Sequence, residues 1–154
     1  RLQILIDDMI DTMEAAPGVG LAAPQVAQSL CLFVARLDED PLAVDDPEIS
    51  QPPASPGLGR THVMINPKII RFFGESVLGT EACLSIPDYR GYVSRPHGII
   101  IKYLDRHGQK RKMSTYGWMA RVLQHEYDHL DGVLFIDKAE KVWHIDLDEE
   151  VHTE

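Results

Sequence analysis

No apolar run in this chain is long enough to span a bilayer, and its first residues carry no signal-peptide pattern. It also lacks positive charge: 15 Lys and Arg stand against 24 Asp and Glu, a net charge of −9. That balance argues against a general nucleic-acid or anionic-membrane binder. The one basic cluster, Lys110-Arg111-Lys112, reads as a solvated strand. With only two cysteines, Cys31 and Cys83, there is no disulfide framework, and reduced cysteine fits an intracellular compartment. Cys31 lies in the apolar run Leu30-Cys31-Leu32-Phe33-Val34 and is expected as a buried core thiol, whereas Cys83 has polar neighbours. Neither a GxGxxG nor a lysine-bearing phosphate-loop pattern occurs, and there are no internal repeats.

What is present suits one globular domain over residues 1–154, since 44% of the chain is apolar. It begins at Arg1, already inside a helical pattern, so a truncated N-terminus is expected, with a targeting segment among the possible losses. Leu2, Leu5, Ile6, Met9, Ile10 and Met13 follow the 3.6-residue period and predict an amphipathic helix from Leu2 to Ala16, ended by Pro17-Gly18. The small-residue stretch Gly18-Val19-Gly20-Leu21-Ala22-Ala23-Pro24-Gln25 allows close backbone approach. A tight turn accounts for it except at Gln25.

Leu30 to Leu37 reads as a buried strand, and 38–60 as a long, mobile surface loop rich in Asp, Glu, Pro, Ser and Gly. Val63-Met64-Ile65 is expected as a short strand ended by Asn66-Pro67, with Ile69 to Phe73 and Ser76 to Leu78 as further strands. Gly98 to Leu104 and Gln109 to Met113 form a hairpin around Asp105-Arg106-His107-Gly108. From Phe135 onward the chain reads as an acidic tail whose Trp143, Ile145 and Leu147 pack on the body. Short strands and hairpins with a late helix give an α+β class, antiparallel sheets packed around that helix.

The chemistry concentrates in Gln124-His125-Glu126-Tyr127-Asp128-His129. Imidazoles four residues apart share one helix face and can reach one metal ion, and Glu126 beside them can take a proton from a metal-activated water. Ser114 and Thr115 are the expected N-caps, and Gly132 marks the helix end. Trp118, Val122, His125 and His129 fall on one stripe, an apolar wall leading to the ligands. Two histidines leave a site short of a ligand. The three-histidine peptidase pattern fails because Phe135 occupies the third position; a downstream Glu140 is a second solution. A Cys83 thiolate is the better candidate, with affinity for Fe(II) or Zn(II) and a fourth position left for water. Glu81 is expected to pair with Arg95 behind the ligands, with Asp128 structural or in the same outer layer. His62, His97, His107, His144 and His152 read as surface or loop histidines without a role.

Three stretches together resemble the peptide deformylase family: Gly18-Val19-Gly20-Leu21-Ala22-Ala23-Pro24-Gln25 its GxGxAAxQ motif, Glu81-Ala82-Cys83-Leu84-Ser85 its EGCLS motif, and His125-Glu126-Tyr127-Asp128-His129 its HExxDH motif. The resemblance runs from the first helix through Phe135. It implies removal of the formyl group from N-formylmethionine of newly made polypeptides by a divalent metal, Fe(II) natively, with Zn(II), Ni(II) or Co(II) as substitutes. It implies Cys83, His125 and His129 as ligands and Glu126 as general base and then acid. Gln25 and the Leu84 N–H would be the oxyanion donors, each worth on the order of 2.7–4 kcal/mol. Gly20 would bind the substrate backbone, and the methionine side chain would lie against Val19, Trp118, Val122 and His125, with Arg90 at the rim. The implied partners are N-formylmethionyl nascent peptides and the ribosome near its exit site, without sequence-specific nucleic-acid binding or a membrane. The implied location is the cytoplasm of a bacterium, or a mitochondrion or plastid.

One residue departs from the family pattern. Ala82 stands where the family has Gly, and a positive φ there would cost about 1 kcal/mol and tilt Cys83, whereas an extended backbone would be harmless. The other readings are therefore an HExxH zinc peptidase with Glu140 as third ligand and a catalytically silent metal-binding protein.

Overall fold

The computed structural model describes residues 1–16, 18–41 and 55–145. Pro17, Leu147, His152 and the 42–54 part of the expected surface loop lie outside them. Helix α1 (Leu2–Ala15) buries Ile6, Met9 and Met13, spaced three and four apart, while Leu2 at its start remains exposed. Fully burying a side chain of this size contributes roughly 1.5–3 kcal/mol, so packing rather than propensity holds this helix.

Every strand pairing is antiparallel. The path runs β1 (Gly20–Ala22), β2 (Leu32–Ala35), β3 (His62–Cys83), β4 (Ile86–Leu104) and β5 (Lys110–Tyr116), with β6 (Ala139–His144) also on β4. In β2 the alternation sends Phe33 and Ala35 into one apolar cluster and Leu32 and Val34 into another. The first lies under helix α2 (Gly117–Leu130), the second under α1. A strand covered on both faces is apolar throughout, which explains the unbroken run in the sequence.

Several expectations change. The β2 strand is only four residues long, and Cys31 just before it is exposed rather than buried in the core. The three short strands predicted between Val63 and Leu78 are one strand. Its register slips between Ile65 and Lys68, between Ile69 and Arg71, and between Phe73 and Ser76, so the Asn66-Pro67 and Gly74-Glu75 signals became bulges instead of ends. Ser114 and Thr115 belong to β5, paired with Ile100 and Ile99, so they do not cap α2, whose N-cap is Tyr116. The expected tail contains structure: a short α3 (Phe135–Lys138) with Phe135 buried, then β6 against Tyr89 to Val93. Trp143 packs on Tyr92 as expected, at 4.6 Å between ring centroids. His62 is buried, its ring 2.8 Å from the Gly57 carbonyl, and is no surface residue. His97 and His107 are exposed, as is His144, whose ring lies edge-on to Tyr89.

Candidate metal centre

The end of β3 and the middle of α2 bring three donor atoms together. Cys83 Sγ lies 3.3 Å from His129 Nε2, which lies 3.2 Å from His125 Nε2. Bonds of 2.0–2.3 Å at tetrahedral angles put such donors roughly 3.4–3.6 Å apart, so the spacing fits one cation. This is the one such Cys and His group among the described residues, and Glu140, in β6, is not part of it. A second observation fits the same cation: Glu126, 4% exposed, has an Oε2 without a hydrogen-bond partner. Burial raises its carboxyl pKa to about 7 against the pull of His125 and His129. A buried carboxylate facing two imidazoles is where a positive charge and a polar substrate are needed.

The neighbouring charges are arranged for binding a cation. Burial alone would push the Cys83 thiol up, but hydrogen bonds from His125, His129 and the Ser85 backbone bring it down to about 5. Burial would lower His125, yet its bonds to Cys83 and Glu81 raise it to about 10. The lowered thiol favours the thiolate, the form that binds a cation. His125 Nδ1 donates to Glu81 Oε1 at 2.9 Å, which fixes the tautomer and aims Nε2 at the shared point.

Glu81 is the hub behind the ligands. Arg95 grips both its oxygens, at 2.6 and 2.9 Å, and also reaches Asp128 Oδ2 at 2.9 Å. Burial would raise the Glu81 carboxyl, but His125 and Arg95 hold it down at about 2. Lys138 of α3 completes the chain at Asp128 Oδ1, 3.1 Å away. The expected Glu81–Arg95 pair is therefore present and buried, and Asp128 sits behind the ligands, bonded to cations.

Arg121 was missed in the sequence. It lies one helical turn before His125 and is nearly buried. It donates to Glu81 Oε2 at 2.7 Å and to the carbonyls of Val93 and Val77 at 2.9 and 2.6 Å, with Trp118 under the guanidinium. Gly79 makes room for it, since a Cβ there would lie 2.7 Å from the guanidinium carbon. The i, i+4 spacing to a ligand was the available signal; an arginine on an amphipathic helix reads as solvated until its partners are known.

A cavity of about 510 Å³ opens onto the donors, lined by Val19, Gly20, Arg90, Trp118, Val122 and His125 among others. All the predicted substrate-contact residues thus face one space. Gly20 has a steric reason: a Cβ there would sit 2.4 Å from Glu126 Oε1, so only glycine lets β1 pass over the carboxylate. Gln25 accepts from the Ala22 N–H at 2.8 Å and turns its Nε2 to Ser85 Oγ at 3.0 Å and Cys83 Sγ at 3.6 Å. Leu84, in the turn after Cys83, is exposed on the cavity wall. Ala82 lies in β3 and is not among the residues of positive φ, so its methyl group costs no backbone strain.

The polypeptide deformylase family model matches residues 1–143. Peptide deformylase 2 of Nostoc sp. (strain PCC 7120) is 47% identical over 139 residues, 90% of this chain and 72% of that protein. The peptide deformylase of Salinibacter ruber is 46% identical over 137 residues, covering 88% and 67%. A crystal structure of a peptide deformylase from Synechococcus elongatus in complex with actinonin superposes with a TM-score of 0.74 at 37% identity, covering 91% of this chain and 66% of that one. The Met-Ala-Ser-bound enzyme from Acinetobacter baumannii gives 0.75 at 39% identity, covering 89% and 80%.

Proposed function

From the premise that the chain belongs to the polypeptide deformylase family, metal-dependent hydrolases acting on N-formylmethionyl peptides, we propose how its own residues divide that reaction. Cys83, His125 and His129 would hold one divalent cation, Fe(II) natively with Zn(II), Ni(II) or Co(II) as substitutes. Its charge would make water nucleophilic near neutral pH and polarise the formyl oxygen. Glu126 takes the proton of the attacking water and returns it to the leaving amine. A buried carboxyl already lifted to about 7 suits both directions of transfer. Gln25 Nε2 and the Leu84 N–H donate to the oxygen as it gains charge. Gly20 lines up the substrate backbone, and the methionine side chain enters between Val19, Trp118 and Val122, with Arg90 at the mouth. Glu81, Arg95 and Asp128 keep His125 and the helix in place.

The substrates are N-formylmethionyl nascent chains, met at the ribosome near its exit site, in bacterial cytoplasm or an organelle that starts translation with formylmethionine. No helix among the described residues is long and apolar enough to cross a membrane. The observation that carries this reading is the convergence of Cys83 with His125 and His129 beside the unpartnered Glu126 oxygen. Anaerobically purified, metal-loaded protein offered formyl-Met-Ala-Ser should release formate. Cys83→Ala should lose the metal, and Glu126→Gln should keep the metal and lose turnover. Metal retained in Cys83→Ala, or no formate from the loaded protein, would count against it.

A further inference from the structure

Lys68, Lys102 and Lys112 stand directly opposite one another across β3, β4 and β5. Adjacent strands run about 4.8 Å apart, so three ammonium groups share roughly 10 Å of sheet. All three are exposed, and none has an ion-pair partner among the described residues. Side-chain alternation puts Lys110 on the same face, opposite Leu104. The register shift after Ile69 turns Arg71 to it, opposite Ile100. The other positions of this face there are Ile65, Ile70, Ile100, Leu104 and Ser114, with no acid among them. A depression of about 430 Å³ is lined by Lys68, Lys102, Tyr103, Lys110, Arg111 and Lys112 among others. The opposite face of the same strands carries Ile69, Ile99, Ile101 and Met113, packed into the core under α2. The basic face is therefore on the far side of the sheet from the metal centre.

Like charges directly opposite on neighbouring strands are destabilising. A chain with 24 acidic residues against 15 basic ones leaves five cations here with no acid between them. We propose that this face binds the phosphodiester backbone of double-helical RNA without reading its sequence. Lysine ammonium groups serve as point charges for phosphates. The one aromatic residue lining the depression, Tyr103, is half-buried and pairs with Arg111 on the opposite strand face, so bases find no row of exposed rings to stack on, as single-strand binding would need. Ile70, two residues from Lys68, is the one exposed large apolar side chain beside these lysines, and a single aliphatic group is far short of the apolar face that inserts into a lipid layer. The choice of RNA over DNA rests on the proposed function, since an enzyme acting on newly made chains meets RNA where they are made.

The test is fluorescence anisotropy of a labelled RNA duplex of about 20 base pairs with the metal-loaded protein, at about 50 and 200 mM salt. Binding should be micromolar or weaker and fall steeply with salt, with a log–log slope of about −3.6 to −4.5 for four or five phosphate contacts. The triple variant Lys68→Gln, Lys102→Gln, Lys112→Gln should bind at least tenfold more weakly, with a slope flatter by about 2.7. It should release formate like the unaltered protein, because these residues have no part in the metal centre. Lys102→Gln alone should flatten the slope by about 1, which keeps the test open if the triple variant does not fold. Equal binding by variant and unaltered protein, no binding at about 50 mM salt, or tighter binding to a DNA duplex or to phosphatidylserine vesicles would overturn the proposal. Formate release without RNA binding would sink only this inference. RNA binding without formate release would sink the functional reading and leave the basic face in place, without the reason for preferring RNA to DNA.

Discussion

Arg121 and Glu81 show how much of a metal centre lies behind its ligands. Glu81 accepts from His125, Arg95 and Arg121 at once, so its two oxygens hold a ring and two guanidinium groups in one geometry. Removing a cation from a buried pair costs about 3–5 kcal/mol, because the remaining charge and carbonyls lose their partners. Arg121→Leu should therefore lower stability by about 3 kcal/mol in urea unfolding, with the carbonyls of Val77 and Val93 left unpaired. Glu81→Gln acts on a different quantity. It weakens the acceptor that orients His125, and metal affinity measured by chelator competition should fall about 10–100-fold. If affinity in Glu81→Gln matched the unaltered protein, the His125 bond would be packing and nothing more. Ala82 illustrates the opposite case: a departure from the family motif that the extended backbone renders harmless.

At the scale of elements, the long β3–β4 pair carries most of the architecture, and His62 guards its start. Its ring N–H donates to the Gly57 carbonyl in the turn before the strand. Burial pushes its pKa below 6.5; the Gly57 bond raises it in part, and Arg60 lowers it again. The unfolded chain therefore takes up a proton near 6.5 while the folded one resists it. In that window the unfolded state binds more protons, so stability is full above 6.5 and declines as the pH drops toward the lowered folded value. His62→Gln, which can donate to Gly57 but cannot charge, should flatten this part of the acid limb in urea titrations at stepped pH. An unchanged limb would mean that other groups set it. Elements were also where the sequence was hardest to read. Asn66-Pro67 and Gly74-Glu75 carry strand-ending chemistry, yet pairing with β4 on either side carried the strand through as bulges. Ser114 and Thr115 have good capping side chains, but the register with Ile100 and Ile99 claimed them for β5. The charged Ala139–His144 segment became a strand because β4 offered it a free edge. In each case the deciding partner was far away in the chain, where local propensity carries no information.

For the whole molecule, the candidate site was legible because its ligands obey short-range rules: two imidazoles one helical turn apart, and a cysteine in a polar motif. The supporting arginine was not, since its meaning depends on Glu81, forty residues away. A cation held by Cys83, His125 and His129 would also tie the molecule together, joining the end of β3 to the middle of α2, elements on either side of the main cluster. A cation bound only by the folded state stabilises it by RT ln(1 + [L]/Kd), about 2.7 kcal/mol at a hundredfold excess over Kd. For a chain of 154 residues, that corresponds to a shift in melting temperature of roughly 5–11 °C. Stripping the metal with a chelator under anaerobic conditions should lower the melting temperature by that order, and adding Zn(II) or Ni(II) should restore it. The hydrogen-bonded pair of Cys83 Sγ and His129 Nε2, extended to His125 Nε2, offers the three donors a bonded arrangement without the cation. The stripped protein should therefore melt in one cooperative transition, not as a loosened state. Cys83→Ala removes both the ligand and that pair, so its melting temperature should lie at or below that of the stripped protein and ignore added metal. A Cys83→Ala protein that still gained stability from Zn(II) or Ni(II) would show the cation bound elsewhere, and the link between sheet and helix would lose its basis.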